Sequence, residues 1–165
     1  MAEASPIRVI LAEDHTIVRQ GLRSLLQGYP NIEVVGEAAD GEEAFLRAGK
    51  LQPAVVVMDI NMPKLDGIAA TRLIRKHYPH IAVLGLSVNA HGYHLDAMLK
   101  AGAFEVFTKE TAANELYGAI QRAVAATQPI LIMAERPAPA DSAATSTSQS
   151  EIPDPSEKLP SKESK

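Results

Sequence analysis

The chain has 165 residues, of which 46% are apolar and only 4% aromatic, and its net charge is −4. The length allows one ordinary domain with an appendage, and the apolar content predicts an aliphatic core. An acidic balance without a stretch rich in Lys or Arg argues against a nucleic-acid footprint, and the absence of Cys excludes disulfides and thiolate metal sites.

Short apolar runs alternate with amphipathic stretches between residues 7 and 127. The run 54–58 is too short for a buried helix and is rich in β-branched residues, which predicts a central parallel strand. Pro79 ends the helix before it, because the residue that precedes a proline disfavours helical backbone. In chain order we predict strand 7–12, helix 17–27, strand 32–36, helix 42–51, strand 54–58, helix 67–77, strand 81–86, helix 92–100, strand 104–108 and helix 112–126.

The composition changes near residue 134. Residues 135–165 are rich in Pro, Ser and Ala and have no periodic apolar face, which predicts a disordered tail. Residues 1–6 are expected to be a flexible N-terminus, and the apolar residues 128–134 a linker or a segment that docks on the domain. No stretch reaches the ~18 apolar residues of a membrane span, and the N-terminus lacks the regions of a signal peptide. We therefore expect a cytoplasmic protein without a membrane partner.

Alternating strands and helices predict an α/β fold with a doubly wound parallel sheet, in which ligands bind beyond the carboxyl ends of the strands. Polar side chains follow four of the five strands. They are Glu13, Asp14, Asp59, Ser87 and Lys109. Three carboxylates at one edge repel one another, and a cation relieves the repulsion. Hard oxygen donors favour Mg²⁺ as that cation.

Most of these residues also fit plainer roles when they are taken singly. Glu13 and Asp14 are also suited to an exposed helix start, where acidic residues are favourable. Ser87 is a common type of turn residue, and Lys109 fits a solvated strand end. Asp59 is the exception, because a carboxylate directly after an aliphatic run is costly to bury without a partner. His15, beside the acidic pair, is interpreted as a loop residue without a chemical role.

Taken together, the residues form an ordered set that resembles the receiver domains of two-component response regulators. The set comprises Glu13-Asp14, Met58-Asp59-Ile60-Asn61-Met62-Pro63 with Asp66-Gly67, Leu86-Ser87, and Lys109 after Ala101-Gly102-Ala103. The resemblance covers residues 7 to about 126, and residues 12–22 and 97–103 are similar to the NarL/LuxR-like subclass. It implies the flavodoxin-like strand order 2-1-3-4-5 with five helices.

The resemblance also implies a chemistry. Asp59 would accept a phosphoryl group from a phosphohistidine of a sensor histidine kinase. Ser87 would be a switch hydroxyl that moves toward that group, and Lys109 would hold one of its oxygens. The domain would signal by a conformational switch to an unknown downstream protein or output domain, without turning over external substrates.

A metal site is implied in the same way. Asp14 and Asp59 would ligate Mg²⁺ directly, together with the main-chain carbonyl of Asn61. Glu13 would act through a water molecule.

Two departures from the family pattern keep a second hypothesis open. Many receivers carry Tyr or Phe three residues before the lysine, where this chain has Val106. NarL-like regulators usually continue into a helix-turn-helix domain, whereas Gln128 is followed here by a short apolar segment and the tail. We therefore expect no DNA binding by this chain itself. The alternative is a phosphorylation-independent interaction or dimerisation module, with a homodimer as one candidate assembly.

Overall fold

The computed structural model describes residues 4–89 and 91–127. In that part of the chain, strands and helices alternate without exception, as the sequence predicts. The strands are β1 (Ile7–Ala12), β2 (Ile32–Ala38), β3 (Val55–Asp59), β4 (Ala82–Ser87) and β5 (Glu105–Thr108). The helices are α1 (Thr16–Gln27), α2 (Gly41–Leu51), α3 (Gly67–His77), α4 (Tyr93–Ala101) and α5 (Ala112–Thr127). The predictions for residues 1–3, 128–134 and 135–165 concern residues outside this description.

The five strands form one parallel sheet in the order β2-β1-β3-β4-β5. This is the doubly wound, flavodoxin-like order, so the predicted fold is confirmed. The register of β1 and β2 shifts between Val9 and Ile10, because Val35 is an extra residue in β2. Pairing with β1 then continues to Ala38, so β2 is two residues longer than predicted.

Helices cover both faces of the sheet, and each face has its own apolar core. Leu11, Leu84 and Leu116 belong to the core on the side of α1 and α5. Ile10, Met58 and Ile74 belong to the core on the side of α2, α3 and α4. Every residue of β3 is fully buried, since this strand lies at the centre of the sheet. No described helix is long and apolar enough to cross a membrane.

The loop between β3 and α3 is held tightly against the end of β3. A Cβ atom on Gly67 would lie 2.0 Å from the carbonyl oxygen of Asp59, so only glycine fits there. The N–H of Gly67 donates to the carbonyl of Ile60 over 2.8 Å. The side chain of Asp66 then accepts a hydrogen bond from the N–H of Ala69 and caps α3. This packing holds the main chain of Asp59 in a fixed position.

Candidate functional site

The parallel strands bring four polar side chains together at their carboxyl ends. Glu13 and Asp14 directly follow β1, Asp59 is the last residue of β3, and Lys109 follows β5. Lys109 Nζ lies 2.9 Å from Glu13 Oε2 and 3.3 Å from Asp59 Oδ2. The ammonium group therefore bridges the carboxylates at the ends of two strands, and the predicted convergence at this edge is observed.

Asp59 is completely buried at this position. Burial and, to a smaller extent, the negative charge of Glu13 raise the pKa of its carboxyl group to about 7, against the opposing effect of Lys109. One carboxylate oxygen, Oδ1, receives a long hydrogen bond of 3.4 Å from the N–H of Asn61. Asp59 therefore has few contacts that offset the cost of a buried negative charge.

Glu13 is also completely buried, but its neighbours stabilise its negative charge more fully. Burial alone would raise the pKa of its carboxyl group, but hydrogen bonds from Lys109 and from His15 outweigh burial and hold that pKa below its ordinary value. Burial would likewise lower the pKa of Lys109, but its contacts with Glu13 and Asp59 raise it. The pair of Glu13 and Lys109 is therefore ionised at neutral pH, while Asp59 titrates near neutrality.

His15 is a member of this cluster that the sequence interpretation missed. Its N–H donates to Glu13 Oε1 over 3.1 Å, and its ring Nδ1 lies 3.1 Å from the same oxygen. The ring nitrogen is also 3.3 Å from Asp14 Oδ1. The only signal in the sequence is adjacency to the acidic pair, since the turn that brings the ring beside the carboxylates has no signature of its own. His15 thus restrains the carboxylate that faces Lys109.

Three carboxylate oxygens in the cluster are shielded from solvent and lack a well-aligned hydrogen bond among the described residues, namely Glu13 Oε2, Asp14 Oδ1 and Asp59 Oδ2. Lys109 Nζ lies 2.9 Å from the first and 3.3 Å from the third, and His15 Nδ1 lies 3.3 Å from the second. Ligand atoms of Glu13, Asp14, His15 and Asp59 all lie within 4.8 Å of one another, which is close enough to share one metal ion. Unpaired buried carboxylate oxygens are costly, so a cation at this point would satisfy them.

Ser87 and Asn61 lie beside Asp59 but are less closely engaged. Ser87 is the last residue of β4, next to the end of β3, and it is buried. Its hydroxyl donates to the carbonyl of Asn89 over 2.7 Å and accepts from the N–H of Asn89 over 3.1 Å. The side chain of Asn61 is exposed, and its described contact with Asp59 is the main-chain one.

The position of Val106 leaves space on the face formed by α4, β5 and α5. A cavity of about 220 Å³ is lined there by Leu95, Val106, Phe107 and Glu115, among others. Val106 is partly buried and packs against Gly85. Phe107 is buried in the opposite core, on the side of α5. Phe107 is thus the aromatic residue among the described residues that line the cavity, and the position where receivers often carry an aromatic side chain holds Val106.

Comparison with known proteins identifies the family. The model of the response regulator receiver domain matches residues 9–121, which include the whole acidic cluster and Lys109. The chain belongs to the response regulator receiver domain family. The predicted recognition is thereby confirmed.

The receiver domain is similar to response regulators of the NarL/LuxR type. It is 38% identical over 115 residues to the response regulator GacA of Pseudomonas protegens, across 70% of this chain and 54% of that protein. It is 37% identical to the transcriptional regulatory protein DegU of Brevibacillus brevis, across 70% of this chain and 49% of that protein. The chain spans about half the length of these two relatives.

A solved structure supports the same assignment. The receiver domain superposes on the signal receiver domain of the putative response regulator NarL from Mycobacterium tuberculosis with a TM-score of 0.71 and 26% identity. The match covers 74% of this chain and 98% of that structure. The shared fold thus extends over the complete length of a receiver domain.

Proposed function

We propose that this receiver domain accepts a phosphoryl group on Asp59 in a Mg²⁺-dependent reaction. The observation that carries the proposal is the state of Asp59 Oδ2, a buried carboxylate oxygen without a hydrogen bond, 3.3 Å from the ammonium group of Lys109. A carboxylate with a neighbouring cation and an acidic pair is equipped for covalent phosphoryl transfer. Membership of the receiver family supports the same chemistry.

The residues present fit a divalent cation. Asp14 Oδ1 and Asp59 Oδ2 are shielded and lack a well-aligned hydrogen bond, and oxygen donors of this kind suit Mg²⁺. Asp14 and Asp59 would bind the ion directly with the main-chain carbonyl of Asn61, and Glu13 would act through water. The ion would neutralise charge on the phosphoryl oxygens during transfer.

The side chains of the chain divide the remaining work. A carboxylate oxygen of Asp59 forms a bond to phosphorus while the bond between phosphorus and the donor imidazole nitrogen breaks, and the imidazole leaves with the bonding electron pair and takes up a proton. Lys109 holds one phosphoryl oxygen by a charge-assisted hydrogen bond. Ser87 exchanges its hydrogen bond to Asn89 for a second phosphoryl oxygen. This exchange links phosphorylation to the turn after β4 and supports a conformational switch.

Intact mass measurement after incubation with Mg²⁺ and a small phosphodonor such as phosphoramidate tests the proposal. We expect the wild type to gain the mass of one phosphoryl group, stable in acid and labile in base. Asp59→Asn should gain none. Glu33→Gln removes an exposed carboxylate of β2 in the same way and should behave as the wild type. An equal mass gain in Asp59→Asn, or no gain in the wild type, would refute the proposal.

The partners follow from this chemistry. The phosphoryl donor would be a phosphohistidine of a sensor histidine kinase. The downstream partner would be an output domain or a separate protein. We expect no turnover of external phosphomonoesters and no DNA binding by the chain itself. Steady hydrolysis of a phosphomonoester in the presence of Mg²⁺ would contradict the first expectation, and retention of the purified chain on duplex DNA would contradict the second.

One observation favours a second candidate, an interaction module that works without phosphorylation. At the cavity on the α4–β5–α5 face, Val106 occupies the position of the aromatic side chain through which many receivers couple their pocket to that face. Sedimentation of the wild type and of Asp59→Asn, each with and without phosphodonor and Mg²⁺, shows whether self-association depends on phosphorylation and so distinguishes the two candidate functions. The second candidate predicts one and the same oligomeric state in all four samples. A dimer that appears only in the phosphorylated wild type would exclude it for this assembly.

A further inference from the structure

The main chain of Glu13 is held by hydrogen bonds on both sides. Its N–H donates to the carbonyl of Ala38, at the end of β2, over 2.9 Å. Its carbonyl accepts a hydrogen bond of 2.6 Å from Nη1 of Arg19, on α1. Hydrogen bonds from a cationic donor are stronger than those between neutral groups. The contact with Arg19 is therefore a firm restraint on the turn that carries Glu13 and Asp14.

Arg19 is in turn oriented by Glu37. Its Nε donates to Glu37 Oε1 over 2.8 Å, and only 17% of the Arg19 side chain is exposed. Glu37 also forms an ion pair with Arg23. Burial would raise the pKa of Glu37, but the two arginines outweigh burial and hold it below its ordinary value. Since Glu37 lies beside Ala38 in β2, both restraints on the Glu13 main chain originate from the same strand end.

We propose that Arg19, oriented by Glu37, is a positioning residue for the metal site. It fixes the carbonyl of Glu13 and thereby places the carboxylates of Glu13 and Asp14 around the ion. The described side-chain hydrogen bonds of Arg19 end on that carbonyl and on Glu37, so it acts through the main chain of Glu13 and not as a ligand. This inference rests on the function proposed above.

Arg23 separates positioning from simple stabilisation of α1 against β2. It lies one helical turn after Arg19, on the same helix, and it binds the other carboxylate oxygen of Glu37. Its described hydrogen bond goes to Glu37 alone, whereas Arg19 reaches Glu13 as well. Loss of either arginine removes one ion pair to Glu37. Only loss of Arg19 also releases the turn that carries the acidic pair.

Calorimetric titration of the metal-free protein with Mn²⁺ alone, at neutral pH, tests the proposal. We expect Arg19→Gln to weaken Mn²⁺ binding by at least about tenfold, the size of effect common for residues that orient metal ligands. Arg23→Gln should stay within about twofold of the wild type, because it leaves the Glu13 carbonyl restrained. Urea unfolding of the metal-free variants gives the structural comparison, in which Arg19→Gln should be the less stable variant because it also loses the hydrogen bond to the Glu13 carbonyl.

Two results would overturn the role of Arg19. One is wild-type Mn²⁺ affinity in Arg19→Gln, and the other is an equal loss of affinity in Arg19→Gln and Arg23→Gln. If circular dichroism shows that Arg19→Gln does not fold, Glu37→Gln takes its place. That variant keeps Arg19 but weakens its orientation, and we expect Mn²⁺ binding about three- to tenfold weaker. Unchanged binding in Glu37→Gln would then refute the inference.

Failure of the positioning role of Arg19 can be distinguished from failure of the proposed function. A wild-type protein that binds no Mn²⁺ would refute the metal-dependent function itself. A wild type that binds Mn²⁺ with unchanged affinity in Arg19→Gln would refute only the positioning role. A wild type that binds Mn²⁺ but gains no phosphoryl group would refute phosphorylation and leave the positioning of the metal ligands to be decided by the titrations.

Discussion

Replacement of Asp59 by Asn is expected to stabilise the metal-free protein, by an amount that grows with pH. The pKa of Asp59 rises from an ordinary value of 3.8 to about 7. Between these two values the folded protein holds a proton that the unfolded chain has lost. This carboxyl group therefore lowers the free energy of unfolding of the wild type as the pH rises, by at most about 1.4 kcal/mol per pH unit.

The full shift corresponds to a ceiling of about 4 kcal/mol, reached above pH 7 where Asp59 is ionised in both states. The gain in Asp59→Asn should be smaller, since the new amide must find hydrogen-bond partners beside Glu13 and Lys109. We expect it to be about 1 to 3 kcal/mol at pH 8 and close to zero near pH 4.

Urea unfolding followed by far-ultraviolet circular dichroism, in EDTA at several pH values between 4.5 and 8.5, measures this difference. Glu33→Gln is the matched control, and its difference from the wild type should not change with pH. Saturating Mg²⁺ should stabilise the wild type more than Asp59→Asn, by about 2.7 kcal/mol at a hundredfold excess over the dissociation constant. A pH-independent difference, or an Asp59→Asn protein less stable than the wild type at pH 8 in EDTA, would refute the reasoning.

Three further predictions concern single side chains. Gly67→Ala places a Cβ atom 2.0 Å from the Asp59 carbonyl oxygen, so we expect its free energy of unfolding in urea to fall by more than about 2 kcal/mol. Gly21→Ala lies in an open position of α1 and should raise the free energy of unfolding by about 0.5–1 kcal/mol. Equal effects of the two substitutions would contradict this. Lys109→Met should slow phosphorylation by phosphoramidate at least about tenfold, measured by intact mass, because a charge-assisted contact to the phosphoryl group is lost; an unchanged rate would argue against that contact. Leu116→Ala empties a fully buried position and should cost about 2–5 kcal/mol, a value that thermal unfolding in calorimetry can check, and a loss below about 1 kcal/mol would show that the core closes over the gap.

The fold was largely predictable because the apolar runs carry both the identity and the order of the elements. Helix ends were predicted where a local residue decides them, as Pro79 does for α3. Helix α4 ends at Ala101, one residue later than predicted, and is followed by Gly102 at a positive φ of 117°. Strand ends were harder to predict, because hydrogen bonds to the neighbouring strand decide them. Asp59 belongs to β3 because it pairs with Leu86, and no sequence pattern within residues 54–59 predicts that the strand extends to it.

The site was predictable to the level of its strand-end residues. Glu13, Asp14, Asp59 and Lys109 meet because they follow parallel strands, and this geometry depends only on topology. The contacts of His15, Arg19 and Ser87 depend on the path of individual turns, which short-range sequence patterns do not encode.

The end of β4 separates two kinds of movement at the pocket. The N–H of Lys109 donates to the carbonyl of Ser87 over 2.9 Å, so the backbones of the two residues are joined as part of the sheet. The hydroxyl of Ser87 turns about one side-chain bond and can leave Asn89 while that backbone link stays closed. Rotation gives up hydrogen bonds of about 1 kcal/mol each, far less than parting β5 from β4 would cost. A ligand in the pocket can therefore rearrange the turn at Asn89 while the rigid sheet keeps Lys109 in register.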